Sequence, residues 1–115
     1  MGKAERETVQ DKCMEFLGFH PMVAWVHTTT TGTFPIHGKR WIKVGYPGMG
    51  DIIGQLRDGR LLSVECKTPG NVPDKIQYDF INMVNDNGGL ALWCDSVEML
   101  AKLFNQHVHD RKNNR

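Results

Sequence analysis

The stretch Leu61–Lys67, LLSVECK, sets a carboxylate and an ammonium two residues apart, at Glu65 and Lys67. Leu62, Val64 and Cys66 alternate with Ser63, Glu65 and Lys67. Side chains leave a strand on alternate faces, so the spacing predicts Glu65 and Lys67 on one face and the apolar set toward a core. Asp51 opens the preceding run DIIGQL, and Arg57-Asp58-Gly59 between the two runs is a hairpin signal. Asp51 and Glu65 each lie seven positions from residue 58, so an antiparallel hairpin sets the two carboxylates opposite one another. Two carboxylates beside a cationic side chain make a hard-oxygen pocket suited to Mg²⁺ or Mn²⁺. Such an ion activates water and offsets charge on a scissile phosphate. Lys67 would orient that water or stabilise developing negative charge, and the backbone carbonyl of Cys66 is a candidate further ligand. That arrangement suits phosphodiester hydrolysis. Alone, Glu-x-Lys on a strand is more often a solvated pair, and an Asp after glycine a turn residue. The joint pattern of glycine-rich turn, Asp, hairpin of matching length and Glu-x-Lys lifts the reading above that.

The elements that must position these residues follow from periodicity. Residues 4–18 read as a helix on Val9, Cys13, Phe16 and Leu17, with Gly18 to end it. Residues 22–28 read as a strand, 28–37 as a polar loop, 40–44 as a short second strand, and 45–50, GYPGMG, as a turn. Strands are expected over 51–56 and 60–67. A helix opens near Pro73 and Asp74, with Ile76, Phe80, Met83 and Val84 as its apolar face and Gly88 past its end. Residues 89–94 form a buried strand, and Ser96 caps a last helix carrying Val97, Leu100, Leu103 and Phe104. The tail from Gln106 to Arg115 is polar and expected to fray. The order predicts an α/β fold, a central mixed sheet flanked by helices.

Length and composition set the frame. A chain of 115 residues is expected to form one domain, residues 1–115, able to bury a core without disulfides. A net charge of +1 argues against a strongly basic nucleic-acid coat and leaves room for a local basic patch. Cys13, Cys66 and Cys94 are odd in number and show no CxxC pair, which argues against a zinc ribbon or a disulfide framework. Buried free thiols in a reducing compartment fit better. The polar N-terminus carries no secretory signal and no apolar run approaches membrane-spanning length, so an intracellular, cytoplasmic protein is expected.

Across residues 5–100 the chain resembles the VRR-NUC family, a branch of the PD-(D/E)xK superfamily. The resemblance rests most on GYPGMGDIIGQLRDGRLLSVECKTPGNVPDKIQYDF: the G-x-P-G-x-x-D turn from Gly45 to Asp51, the E-x-K from Glu65 to Lys67, and the glutamine of the following helix, Gln77. It implies a restriction-endonuclease-like core and a divalent-metal nuclease acting on DNA, often on branched structures. Asp51, Glu65 and Lys67 take the family's catalytic positions and Gln77 an auxiliary one. One departure stands out. The family's first-helix glutamate falls at Arg6 here, flanked by Glu5 and Glu7, each about 100° away around a helix. Either would serve if the first turn is irregular; both are equally first-turn acids favoured by the helix dipole.

Lys39, Arg40 and Lys43 are candidates for contact with backbone phosphates, although a solvated polar loop explains them as well. His107-x-His109 and the basic residues Arg111, Lys112 and Arg115 fit a solvated tail. Trp25, Trp41 and Trp93, in strand-like runs, are expected in the core. The leading function is a structure-selective DNA endonuclease. The alternatives are a catalytically weak DNA-binding module of the same fold and an RNA-directed nuclease. One site per chain and the two-fold symmetry of a four-way (Holliday) junction point to a homodimer making paired incisions, with the last helix or the 28–43 segment as its surface.

Overall fold

A computed structural model describes residues 8–29 and 32–110. Its elements are α1 (Val9–Phe19), β1 (Val23–Thr28), β2 (Gly32–Pro35), β3 (Trp41–Val44), β4 (Ile52–Leu56), β5 (Leu61–Cys66), α2 (Lys75–Asp86), β6 (Leu90–Cys94) and α3 (Val97–His107). Four strands form a mixed sheet in the order β1-β4-β5-β6, with β5 and β6 parallel and the other pairs antiparallel. β2 and β3 make a separate two-stranded hairpin. The expected α/β architecture, a mixed sheet flanked by helices, is what forms.

β5 lies between β4 and β6 and is covered on both faces. Leu62 and Val64 look toward α1 and α3, in one cluster with Cys13, Leu17, Ile52, Leu56, Leu90, Cys94, Leu100 and Phe104. Ser63 and Glu65 look the other way, the face on which α2 sets Phe80 and Val84 against Ala91. A single strand thus divides an apolar core from the polar chemistry. The local signals are explicit. Asp58 Oδ1 accepts from the Arg60 N–H at 3.2 Å, and Gly59 takes φ +98°, closing the β4–β5 hairpin at the Asp-Gly pair. Ser96 caps α3 by accepting from Met99 N at 3.0 Å.

Several sequence expectations give way. Of the expected helix, residues 4–7 lie outside the described residues; the described helix begins at Val9, with Thr8 as its N-cap in a reciprocal capping box with Asp11. It runs through Gly18 to Phe19, since the helical ladder outweighs one glycine's propensity. The segment 28–37 is not all loop. It holds β2, Gly32–Pro35, because pairing with β3 satisfies the backbone of a strand whose flanking Gly and Pro read as loop. Trp25 and Trp41 are 48% and 63% exposed, against the expected core placement. Trp25 stands on the edge strand β1, where its ring N–H reaches Gln55 Oε1 at 3.1 Å, and Trp41 stands on the hairpin. On α2, Phe80 and Val84 are buried while Ile76 and Met83 lie largely exposed, so the buried stripe is narrower than the apolar one. The tail does not fray at Gln106: residues 106 and 107 complete α3, and Val108 is fully buried. Arg60, ion-paired with Asp58 at 2.9 Å, donates to the Val108 carbonyl and holds that end down. Arg111, Lys112 and Arg115 lie outside the described residues.

Candidate active site

The β4–β5 register pairs Ile52 with Val64 and Gln55 with Leu61. Carried one step past the strand end, it sets Asp51 against Glu65, as the hairpin spacing predicts. Asp51 then does what a carboxylate at a ladder's end does well. Its Oδ2 accepts from the Cys66 N–H at 2.7 Å and so ties the start of β4 to the end of β5. The glycines of the preceding turn allow this approach. Gly48 has φ +81°, and a Cβ there would overlap the Ile76 carbonyl at the start of α2. At Gly50 a Cβ would come within 2.7 Å of Ser63 Oγ and of the Val64 carbonyl. The turn therefore lies flat between β5 and α2, and Asp51 emerges from it at a fixed height.

Glu65 is 5% exposed. Its Oε2 accepts from Gln77 Nε2 at 2.7 Å and lies 3.5 Å from Lys67 Nζ. The Gln77 amide is itself held: its Oε1 accepts from Asp74 N at 2.9 Å, while Asp74 caps α2 through Gln77 N at 2.9 Å. One residue thus closes the helix and orients the carboxylate. Glu65 Oε1 is buried and has no hydrogen-bond partner. Burial pushes the Glu65 carboxyl up, the Asp51 carboxylate adds to the rise, and Lys67 opposes it, leaving it at about 7. Asp51, Glu65, Lys67 and Gln77, supplied by the turn before β4, the end of β5 and the start of α2, therefore gather around one carboxylate. The burial of Glu65 was not legible in the sequence, because it depends on α2 and the 45–50 turn folding together over that face.

Beside the cluster runs a groove of about 590 Å³ lined by Asp51, Cys66 and Lys67, by the N-terminal turn of α1 with Lys12, and by the start of α3 at Asp95 and Ser96. Glu5 and Glu7, the candidate first-helix acids, lie outside the described residues. Lys39 sits in the β2–β3 turn, Arg40 just after it and Lys43 on β3, all exposed. None of their side chains bonds to the cluster, so the structure does not draw them into it.

Sequence reading missed one further grouping. The register of the parallel pair puts Cys66 directly beside Cys94, and Cys13 of α1 meets them from above the sheet. Their three sulfurs lie within 4.8 Å of one another, and Cys13 and Cys94 are 3.5 Å apart. All three are free thiols. The sulfurs' mutual contacts hold the Cys13 thiol low, through Cys66 first and then Cys94, and hold Cys66 and Cys94 high, chiefly through Cys13. No spacing rule finds such a group, because its members come from three separate elements.

No family model matches this chain, and no curated protein or solved structure matches it either, so its chemistry is read from its own residues.

Proposed function

We propose that the chain is a divalent-metal-dependent nuclease with a restriction-endonuclease-like core, of the PD-(D/E)xK type and VRR-NUC branch that its sequence resembles, and that it hydrolyses phosphodiester bonds of DNA. One observation carries the reading: Glu65 keeps a buried, unpartnered carboxylate oxygen beside a second carboxylate. A buried acceptor without a donor costs about 1–3 kcal/mol, and two adjacent carboxylates add repulsion. A cation offsets both costs. The donors are hard oxygens, which suit Mg²⁺ or Mn²⁺. Asp51 and Glu65 would hold the ion, with the Cys66 carbonyl as a further ligand. When bound it supplies an activated water and charge neutralisation at the phosphate.

The chain's own groups do the rest. Gln77 and Lys67 hold Glu65 Oε2 and leave Oε1 for the ion. Lys67 is part-exposed on the groove, where its ammonium stabilises charge developing on the phosphate. The N-terminal ends of α1 and α3 on the groove wall favour an anionic backbone there. Lys39, Arg40 and Lys43 on the exposed hairpin are the candidate contacts to more distant phosphates.

Among the described residues one such site forms per chain, and a homodimer cutting four-way junctions by paired incisions is part of the proposal. Leu100 and Phe104 of α3 are fully buried, so that helix offers little to a partner. Phe34, Ile36, Trp41 and Ile42 of the hairpin segment are exposed and make the better dimer surface. The test is cleavage of labelled duplex, flap, splayed-arm and four-way DNA, and of matched RNA, with Mg²⁺ or Mn²⁺ and with chelator. Metal-dependent cutting of DNA, fastest on junctions, is expected. Cutting of RNA alone would redirect the assignment to an RNA nuclease. Tight binding without cutting of either polymer would leave a DNA-binding module.

A further inference from the structure

We propose that Cys13, Cys66 and Cys94 form a three-thiolate site for a thiophilic d¹⁰ cation, zinc(II), separate from the carboxylate site. The proposal stands on the cysteines' geometry and does not depend on the nuclease reading. Three elements of different kinds, α1, β5 and β6, deliver one sulfur each to the same point. Two of the sulfurs are brought together by strand register, Cys66 beside Cys94. The third hangs from a helix whose start is fixed by its capping box.

The spacing suits a metal. With Zn–S near 2.3 Å, tetrahedral ligation sets sulfurs roughly 3.8 Å apart. The observed sulfurs are all within 4.8 Å, with one pair at 3.5 Å, so closing on an ion asks for side-chain shifts of about 1 Å or less. Softness sets the class of ion: thiolates select zinc or copper(I) over magnesium or manganese. Charge selects within the class. Three thiolates leave one net negative charge around a divalent ion and two around a monovalent one, and the cluster is buried, with Cys13 and Cys94 fully so. The divalent ion is therefore favoured. Each thiol enters as a thiolate, its proton passing to solvent. Cys66 also lines the groove, which gives the ion a way in and leaves a fourth position for water.

Such an ion would staple α1 to the sheet one residue from Glu65. It would also fix Cys66, whose N–H holds Asp51. The two sites would thus sort metals by ligand hardness, oxygen on one side of β5 and sulfur on the other.

The experiment uses the full chain, reduced and stripped of metal under anaerobic conditions. Zinc(II) is titrated against a competing chromophoric chelator, and cobalt(II) serves as the spectroscopic probe. The expected result is one ion per chain, a thiolate-to-cobalt charge-transfer band, the visible bands of tetrahedral cobalt, and a rise in Tm with zinc. Removing a support outside the ligand shell of a metal site costs 10–100-fold in affinity, so Cys66→Ser, which removes a ligand, should lose on the order of 100-fold or more. Cys66 is the least buried of the three, which makes this the mildest variant, and circular dichroism checks its fold. The wild-type cobalt spectrum stands independently if that variant misfolds. A reduced wild-type chain that takes up neither ion at micromolar free metal overturns the site. So does a cobalt spectrum without thiolate charge transfer, or zinc affinity unchanged in a folded Cys66→Ser. Recovery of a Cys13–Cys94 disulfide with no uptake after reduction would make the cluster a redox pair and also overturn it.

Discussion

Glu65→Gln should make the metal-free protein more stable at alkaline pH while removing the proposed metal-dependent cleavage. The Glu65 carboxyl is raised from 4.5 to about 7 in the fold, chiefly by burial and then by Asp51. A raised carboxyl contributes its full stability below pH 4.5 and loses it as pH climbs through about 7. At roughly 1.4 kcal/mol per unit, the fold should lose about 3 kcal/mol between those limits, an order-of-magnitude figure for a group this buried. Glutamine keeps the shape, accepts from Gln77 and Lys67 through its carbonyl, and cannot ionise. In chelator at pH 8 the variant should therefore exceed wild type by about 2–3 kcal/mol, and at pH 4.5 the two should agree within about 1 kcal/mol. With m near 1–2 kcal/mol per molar urea for this size, the alkaline midpoint should move up by about 1–3 M. Urea titrations in chelator from pH 4.5 to 8 measure this directly, and adding Mn²⁺ should return stability to wild type alone. An equal pH slope for both proteins, or a variant weaker at pH 8, would refute the idea that a strained, buried carboxylate waits for a cation.

The other expectations are as direct. Lys67→Ala should lower turnover on the order of 100-fold or more while leaving Mn²⁺ affinity within a few fold, checked by single-turnover kinetics beside calorimetry; collapse of metal affinity would assign Lys67 the wrong role. Arg60→Ala should cost about 3 kcal/mol by urea denaturation, because it strips a largely buried ion pair with Asp58 and frees the Val108 carbonyl; a loss under about 1 kcal/mol would mean the end of α3 is held by packing alone. Gly48→Ala should cost about 2 kcal/mol or more, since positive φ and the Ile76 carbonyl both oppose a Cβ; a neutral effect in denaturation would show that the turn relaxes freely.

How far the sequence reaches is clearest at β4 and β5. The period-two alternation in LLSVECK and the Asp-Gly turn are local signals, and local signals suffice for a hairpin register, so the Asp51–Glu65 pairing is legible from residue spacing alone. The separation of Leu62 and Val64 from Glu65 follows from the same alternation. Tertiary placement is not legible. That α2 closes over Glu65 depends on the angle at which the chain returns after Pro73. That Cys13, Cys66 and Cys94 meet depends on a parallel pairing and a helix crossing, neither written in spacing. Trp25 and Trp41 look like core residues because aromatic side chains in strand-like runs usually are. An edge strand and a separate hairpin leave them with no second layer to bury against. Val108 lies in a polar stretch that masks one apolar residue with a full burial role.

The proposal that Asp51 and Glu65 hold the cation used to break phosphodiester bonds is open to a single assay. It is tested most directly by single-turnover cleavage of a labelled four-way DNA junction against Mg²⁺ concentration, for wild type, Asp51→Asn and Glu65→Gln. Saturable metal dependence is expected in wild type, with a loss on the order of 1,000-fold or more in each variant and both variants folded. No metal-dependent cleavage by wild type, or either folded variant cutting at a near-normal rate, would contradict it.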